Sequence, residues 1–171
     1  MTIAEKGGGV ALAAGQRAPD FDLPAVVGRE RTRFRLEDAR GKDLVVVTFH
    51  PLDWTPTCES QVPILNSMRG AFLDCGAQII DISVDSIESH IAWQEQEIGW
   101  MEFPLCADFY PHGEVTKQFG IMREGPPVAG ISERAAFVID RDGMVRWAKV
   151  YPIDQLPDLP GLLEETRKLA G

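Results

Sequence analysis

The chain is poor in cysteine and histidine, with three of each in 171 residues. Cys58, Cys75 and Cys106 contain no CxxC spacing, so neither a zinc ribbon nor a dithiol redox motif can be written. His50, His90 and His112 lie apart with no HxxxH spacing, so no metal site and no cofactor is expected. Positive charge is also short: 17 Lys and Arg against 26 Asp and Glu give a net charge of −9. Without a basic excess, neither nucleic acid nor an acidic membrane is an expected partner. No run approaches the ~18 continuous apolar residues of a membrane span. The opening stretch, "MTIAEKGGGVALAAGQRAPD", lacks both a basic leader and a sustained apolar core. Residues 1–15 are therefore expected to form a flexible tail and 16–171 a single domain. A cytoplasmic, thiol-reducing setting is the default expectation.

What is present is an alternation of patterns. "LVVVTFH" (Leu44 to His50) is a continuous apolar, β-branched run, as in a strand buried on both faces. A helix is predicted from about Thr57 to Asp74, then a second buried strand, "AQIIDISVD". "SIESHIAWQEQEI" opens with Ser86 as an N-cap, with Ile87, Ile91 and Ile98 on one face and Trp93 toward another. "FPLCAD" is a short strand, "GEVTKQFG" a short helix, and "MREGPPVAGISE" a loop by its Gly and Pro content. "RAAFVID-RDG-MVRWAKVY" reads as a hairpin turning at Asp142-Gly143, and "LPGLLEETRKLA" as a closing amphipathic helix. Alternation implies parallel pairing, and the hairpin adds antiparallel strands. The fold class is α/β: a mixed central sheet flanked by helices, built like an elaborated thioredoxin fold.

The chemistry is carried by "FHPLDWTPTCES" (Phe49 to Ser60). Pro56 suits the first helical position, which makes Thr55 the N-cap and places Cys58 third in the helix. Unsatisfied N–H groups and the helix dipole in that first turn favour an anion, hence a nucleophilic thiolate. The competing reading of Cys58 is a small buried apolar residue.

"PLDWTPTC" has the form Pro-x-x-x-Thr-x-x-Cys and resembles the active-site signature of the peroxiredoxins, thiol peroxidases on a thioredoxin fold with added insertions. "SERAAFVIDRDGMVRWA" is similar to the family strand that opens on an active-site arginine, here Arg134, and "IIDISVDSIESHIAW" to the strand and helix between. The likeness runs from about Ala18 to Tyr151. "FPLCADFYPHGEVTKQFGI" is most similar to the alkyl hydroperoxide reductase E type, and "FHPLDWTP" also to one-cysteine members.

The resemblance implies these roles. Cys58 attacks the peroxide and becomes a sulfenic acid. Thr55 hydrogen-bonds the peroxide, Pro51 shields the sulfur, and Arg134 favours thiolate and polarises the O–O bond. Gln61 orients the arginine or is a solvated helix residue. His50 is a satisfied residue at a strand end or contacts substrate or partner. Trp54 is read as packing, and Pro111-His112-Gly113 as a loop or dimer-contact element. A homodimer or higher oligomer is implied.

Relatives often carry a resolving cysteine five after the first, or in a C-terminal tail. Position 63 is Pro63, and "GLLEETRKLAG" has no cysteine. Cys75, on one continuous helix, would stand roughly 25 Å from Cys58 at ~1.5 Å per residue, against a Cα limit of ~7 Å for a disulfide. Cys106 is the other candidate. The expectation is therefore a one-cysteine peroxidase acting on hydrogen peroxide or alkyl hydroperoxides. Its reductant is then external: a low-molecular-weight thiol, or a thioredoxin-like or mycoredoxin-like protein. The alternatives are a two-cysteine peroxidase using Cys106 or Cys75, and a redox-sensing or chaperone-like thiol protein.

Overall fold

A computed structural model describes Glu5–Lys6 and residues 9–171. A hairpin that the sequence reading left unassigned opens the main sheet: β1 (Asp22–Val27) and β2 (Glu30–Arg35), turning through Gly28 at φ +57. Pro24 sits inside β1, and β2 reads "ERTRFR" with only Phe34 buried, which hides both from a search for apolar alternation. The charges have a structural use, because β2 is a sheet edge and charged edges resist further pairing.

The expected elements follow. β3 (Leu44–Phe49) is buried along its whole length. It leads into α1 (Pro56–Ser67) and α2 (Arg69–Asp74), then β4 (Ala77–Ser83) and α3 (Ile87–Trp93), which continues as a π turn over Gln94–Ile98. β5 (Leu105–Ala107), α4 (Glu114–Gln118), the hairpin β6 (Arg134–Ile139) and β7 (Val145–Tyr151), and α5 (Leu159–Ala170) complete the chain. The seven-stranded order is β2-β1-β5-β4-β3-β6-β7. β4 pairs parallel with β3 and β5, and the remaining pairings are antiparallel. This is the expected thioredoxin-like mixed sheet.

Two expectations need correction. The helix predicted over 57–74 is two helices, broken at Met68 (φ −95, ψ −2). Pro63 is accommodated inside α1, whereas the break falls where side chains compete for the helical backbone. There the Ser67 hydroxyl donates to the Ile64 carbonyl at 2.6 Å, and Asn66 Oδ1 accepts from Glu102 N at 2.8 Å. On α3 the buried residues are His90 and Trp93, while Ile87 and Ile91 are half-buried. Ser86 does cap α3, accepting from Ser89 N at 3.1 Å.

Residues 1–4 and 7–8 of the expected tail lie outside the described residues. Its last part is docked: Ala11 and Ala13 are buried, and Leu12 N donates to the Phe119 carbonyl.

Alternation along β3 divides the core. Val45, Val47 and Phe49 face one apolar layer with Phe119 and Phe137. Leu44 and Val46 face the other, under α1, α3 and α5, which contains Cys58. Phe119 meets Phe21, Phe49 and Phe137 at centroid distances of 6.0, 5.2 and 4.9 Å. Phe119→Ala removes this hub and is expected to lower stability by about 3–5 kcal/mol. Urea titration should show a lower midpoint at unchanged slope.

Candidate active site

Pro56 opens α1 and holds the preceding residue extended, since the α region is disfavoured before proline; Thr55 has φ −101 and ψ 145. Cys58 follows in the first turn, fully buried. Arg134, the first residue of β6, is 2% exposed and reaches across the sheet to it. Its Nη1 lies 3.4 Å from Cys58 Sγ and donates to Gln61 Oε1 at 2.5 Å. Its Nε and Nη2 both donate to the Ile153 carbonyl, at 3.1 and 2.9 Å. Gln61 is thus buried and bonded to the arginine, not a solvated helix residue.

Thr55 holds the N-cap position, but its side chain makes no cap bond. The hydroxyl donates instead to the Leu52 carbonyl at 2.8 Å, which leaves its oxygen lone pairs available. Thr55, Pro51, Leu52, Val128, Ile131 and Arg134 line one cleft of about 230 Å³. Its wall is mostly apolar, and Arg134 links it to the sulfur beneath. The geometry therefore brings Cys58, Thr55, Pro51, Arg134 and Gln61 to one place. A thiolate here would meet the Arg134 guanidinium, which also lines the cleft together with Thr55.

His50 is not part of that space. It is fully buried, with Nδ1 against the Asp81 carboxylate and Nε2 2.6 Å from Asp53 Oδ1. Asp53 Oδ2 also faces His90 Nδ1 at 2.8 Å and accepts from the Ser89 hydroxyl at 2.9 Å, while the Asp53 N–H donates to Asp85 at 3.0 Å. His90 Nε2 faces the Cys106 carbonyl at 3.1 Å, and the Thr48 hydroxyl donates to Asp81 at 2.6 Å. Both ring nitrogens of His50 are engaged by carboxylates inside the protein, the satisfied arrangement of a residue at a strand end. Trp93 stacks on it at 5.2 Å between ring centroids, and the Trp93 indole N–H donates to Glu59 at 3.3 Å. Burial opposes charge on His50, but Asp81 and Asp53 overcome it and hold its pKa well above the ordinary 6.5. Burial likewise pushes Asp53 up, yet the two imidazoles hold it well below the ordinary carboxylate range.

The sequence spacing of the histidines gave no hint of this convergence. His50, Asp53 and His90 offer candidate ligand atoms within 4.8 Å of one another, but their spacings are those of hydrogen bonds. Trp54, expected to pack, is 42% exposed. It holds φ +71, and its indole N–H donates to the Ser89 hydroxyl at 3.2 Å. His112 lies at the surface and ties its turn to the Gly130 carbonyl at 2.6 Å. Cys106 is fully buried in β5, where burial and the carboxylates of Asp81 and Asp108 push its thiol pKa up. Cys75 caps the far end of α2, with Sγ on the Phe72 carbonyl at 3.2 Å. Neither is placed beside Cys58.

The AhpC/TSA family matches residues 14–148. The chain is 32% identical over 141 residues to the chloroplastic 2-Cys peroxiredoxin BAS1 of Hordeum vulgare, covering 80% of this chain and 65% of that protein. It is 31% identical over 146 residues to the chloroplastic 2-cysteine peroxiredoxin of Chattonella marina var. antiqua, covering 82% of this chain and 72% of that protein. The chain spans about half to two thirds of the length of the first curated relatives it matches. Among solved structures, reduced Plasmodium vivax 2-Cys peroxiredoxin superposes with a TM-score of 0.86 at 26% identity, covering 92% of this chain and 82% of that one.

The buried charges set a pH dependence. His50, with its pKa raised, contributes stability that is complete below pH 6.5 and is lost as pH rises through its folded-state value. Asp53, with its pKa lowered, contributes above pH 3.8 and loses that contribution as pH falls through its folded-state value. Denaturant midpoints should therefore fall from pH 6.5 upward, and His50→Gln should flatten that fall.

Proposed function

The chain belongs to the AhpC/TSA family, the peroxiredoxins, and from that premise we propose that it is a thiol peroxidase in which Cys58 reduces hydroperoxides. The observation that carries the reading is Arg134 Nη1, held by Gln61 against Cys58 Sγ at the base of a small cleft. The Cys58 thiolate attacks one peroxide oxygen in line. The S–O bond forms as the O–O bond breaks, sulfur is oxidised to sulfenic acid, and the second oxygen leaves as alkoxide or hydroxide and takes a proton. Charge moves from sulfur to oxygen, and Arg134 faces the position from which it moves. Thr55, its own proton donated to Leu52, accepts the hydrogen of the entering hydroperoxide. Pro51 excludes water.

The apolar wall of Leu52, Val128 and Ile131 favours an organic hydroperoxide over hydrogen peroxide. The cycle we propose uses one cysteine of this chain: Cys106 is buried with a raised thiol pKa, and Cys75 lies beyond the α1–α2 break. The sulfenic acid then passes to an external thiol, either a low-molecular-weight thiol or a thioredoxin-like or mycoredoxin-like protein. That reading suits the alkyl hydroperoxide reductase E likeness of the Asp108 to Gly113 run and a thiol-reducing cytoplasm. The exposed Phe109 and Tyr110 offer apolar surface for a homodimer.

Arg134→Met is expected to lower the second-order rate of peroxide consumption by about 10²–10³, and Cys58→Ser to abolish it, both read by stopped flow. After one equivalent of peroxide, mass spectrometry should find a trappable sulfenic acid at Cys58, with Cys75 and Cys106 as free thiols. A disulfide to either, within or between subunits, would replace the one-cysteine cycle with a two-cysteine one.

A further inference from the structure

Trp54 is the one non-glycine residue with positive φ among the described residues, at +71. A bulky side chain in the left-handed region is strained, and it persists only where its surroundings over-determine the backbone. It lies between Asp53 and Thr55, inside the loop that aims the Thr55 hydroxyl. Its neighbours supply the constraint from three directions. From the end of β3, His50 Nε2 meets Asp53 Oδ1 at 2.6 Å, itself backed by Asp81 on β4. From α3, His90 Nδ1 and the Ser89 hydroxyl meet Asp53 Oδ2 at 2.8 and 2.9 Å. From the turn after β4, Asp85 accepts the Asp53 N–H at 3.0 Å, with the Ser83 hydroxyl donating to the same carboxylate oxygen at 2.7 Å. Ser89 also receives the Trp54 indole N–H, so both residues are fastened to one hydroxyl. None of these groups lines the cleft.

We propose that Asp53 is a positioning residue for peroxide reduction: its carboxylate, bridged by His50 and His90, clamps the left-handed turn at Trp54 and thereby aims Thr55 at the peroxide. The inference rests on the peroxidase reading of Cys58. It assigns no contact between Asp53 and the reacting atoms. The clamp acts on the peroxide's partner hydroxyl and leaves the sulfur's own surroundings, Arg134 and the first turn of α1, in place.

Two reactions of the same sulfur separate that role from simple stability. Oxidation by tert-butyl hydroperoxide needs Thr55 in position; alkylation by iodoacetamide needs the thiolate and the same access to it, but not the Thr55 hydroxyl. In Asp53→Asn, an amide donor is turned toward groups that themselves donate. The ratio of the oxidation rate to the alkylation rate is expected to fall by about tenfold or more, as for other small misplacements of a reacting geometry. Ser89→Ala, a milder change, should lower the same ratio by a smaller factor, and Ser89→Thr, which keeps the hydroxyl, should restore it. Trp54→Gly added to Asp53→Asn should recover part of the loss, because glycine takes positive φ without strain. An unchanged ratio in folded Asp53→Asn, or a loss that glycine does not relieve, overturns the proposal. If Asp53→Asn does not fold, an unchanged ratio in Ser89→Ala overturns it. A wild-type protein that is alkylated at Cys58 but consumes no peroxide removes the peroxidase reading, and this one with it. A wild-type protein that consumes peroxide while the variants keep its ratio removes only this one.

Discussion

A guanidinium buried in a protein must find acceptors for a rigid fork of donors, and among the described residues Arg134 finds three: the Ile153 carbonyl, Gln61 and the sulfur of Cys58. Much of the site's construction answers this demand. β6 places the arginine at its first residue, the segment after β7 returns Ile153 across it, and α1 turns Gln61 and Cys58 toward it from one helical face, three residues apart. Removing any of the three would cost the nearly buried arginine a hydrogen-bond partner. The sulfur is thus held by the same requirement that keeps a charge tolerable in the interior.

On the other side of α1 the constraint is also a buried charge, this time a carboxylate. Asp53 and Asp81 need donors, and His50 and His90 supply them. The two systems meet through the loop and through Trp93, which packs on His50 while its indole reaches Glu59 beside Cys58. Cys58 therefore sits between two polar arrangements, each satisfied within itself. Cys58 and Trp93 pack in one apolar layer with Val46, Val62, Leu65 and Leu162.

Much of this was legible in the sequence for identifiable reasons. The amphipathic pattern of "LPGLLEETRKLA" predicts α5 at its observed limits, and the structure adds Asp158 as its N-cap. The β6–β7 hairpin was carried by Asp142-Gly143, and Gly143 does turn at φ +87. The β1–β2 hairpin was not legible, because proline and charge hid its alternation. The buried face of α3 was misread by weighting three isoleucines over Trp93. The His50 cluster needed register: β3 and β4 pair Thr48 with Asp81, which sets Asp81 beside His50. No one-dimensional spacing contains that pairing.

The complete burial of Cys58 divides a catalytic cycle into two conformations. In the proposed cycle a small peroxide needs little room to meet a sulfur buried behind the cleft that Arg134 lines, whereas a thiol carried on a larger molecule needs the sulfur uncovered. In that cycle reduction would wait for the first turns of α1 to come away, and the break at Met68 would confine such an opening to a short unit, since α2 is a separate helix. Anything that makes α1 more rigid would hasten attack on peroxide and delay recovery from it. The stability of twelve residues would then act as a timer, setting how long the oxidised form lasts.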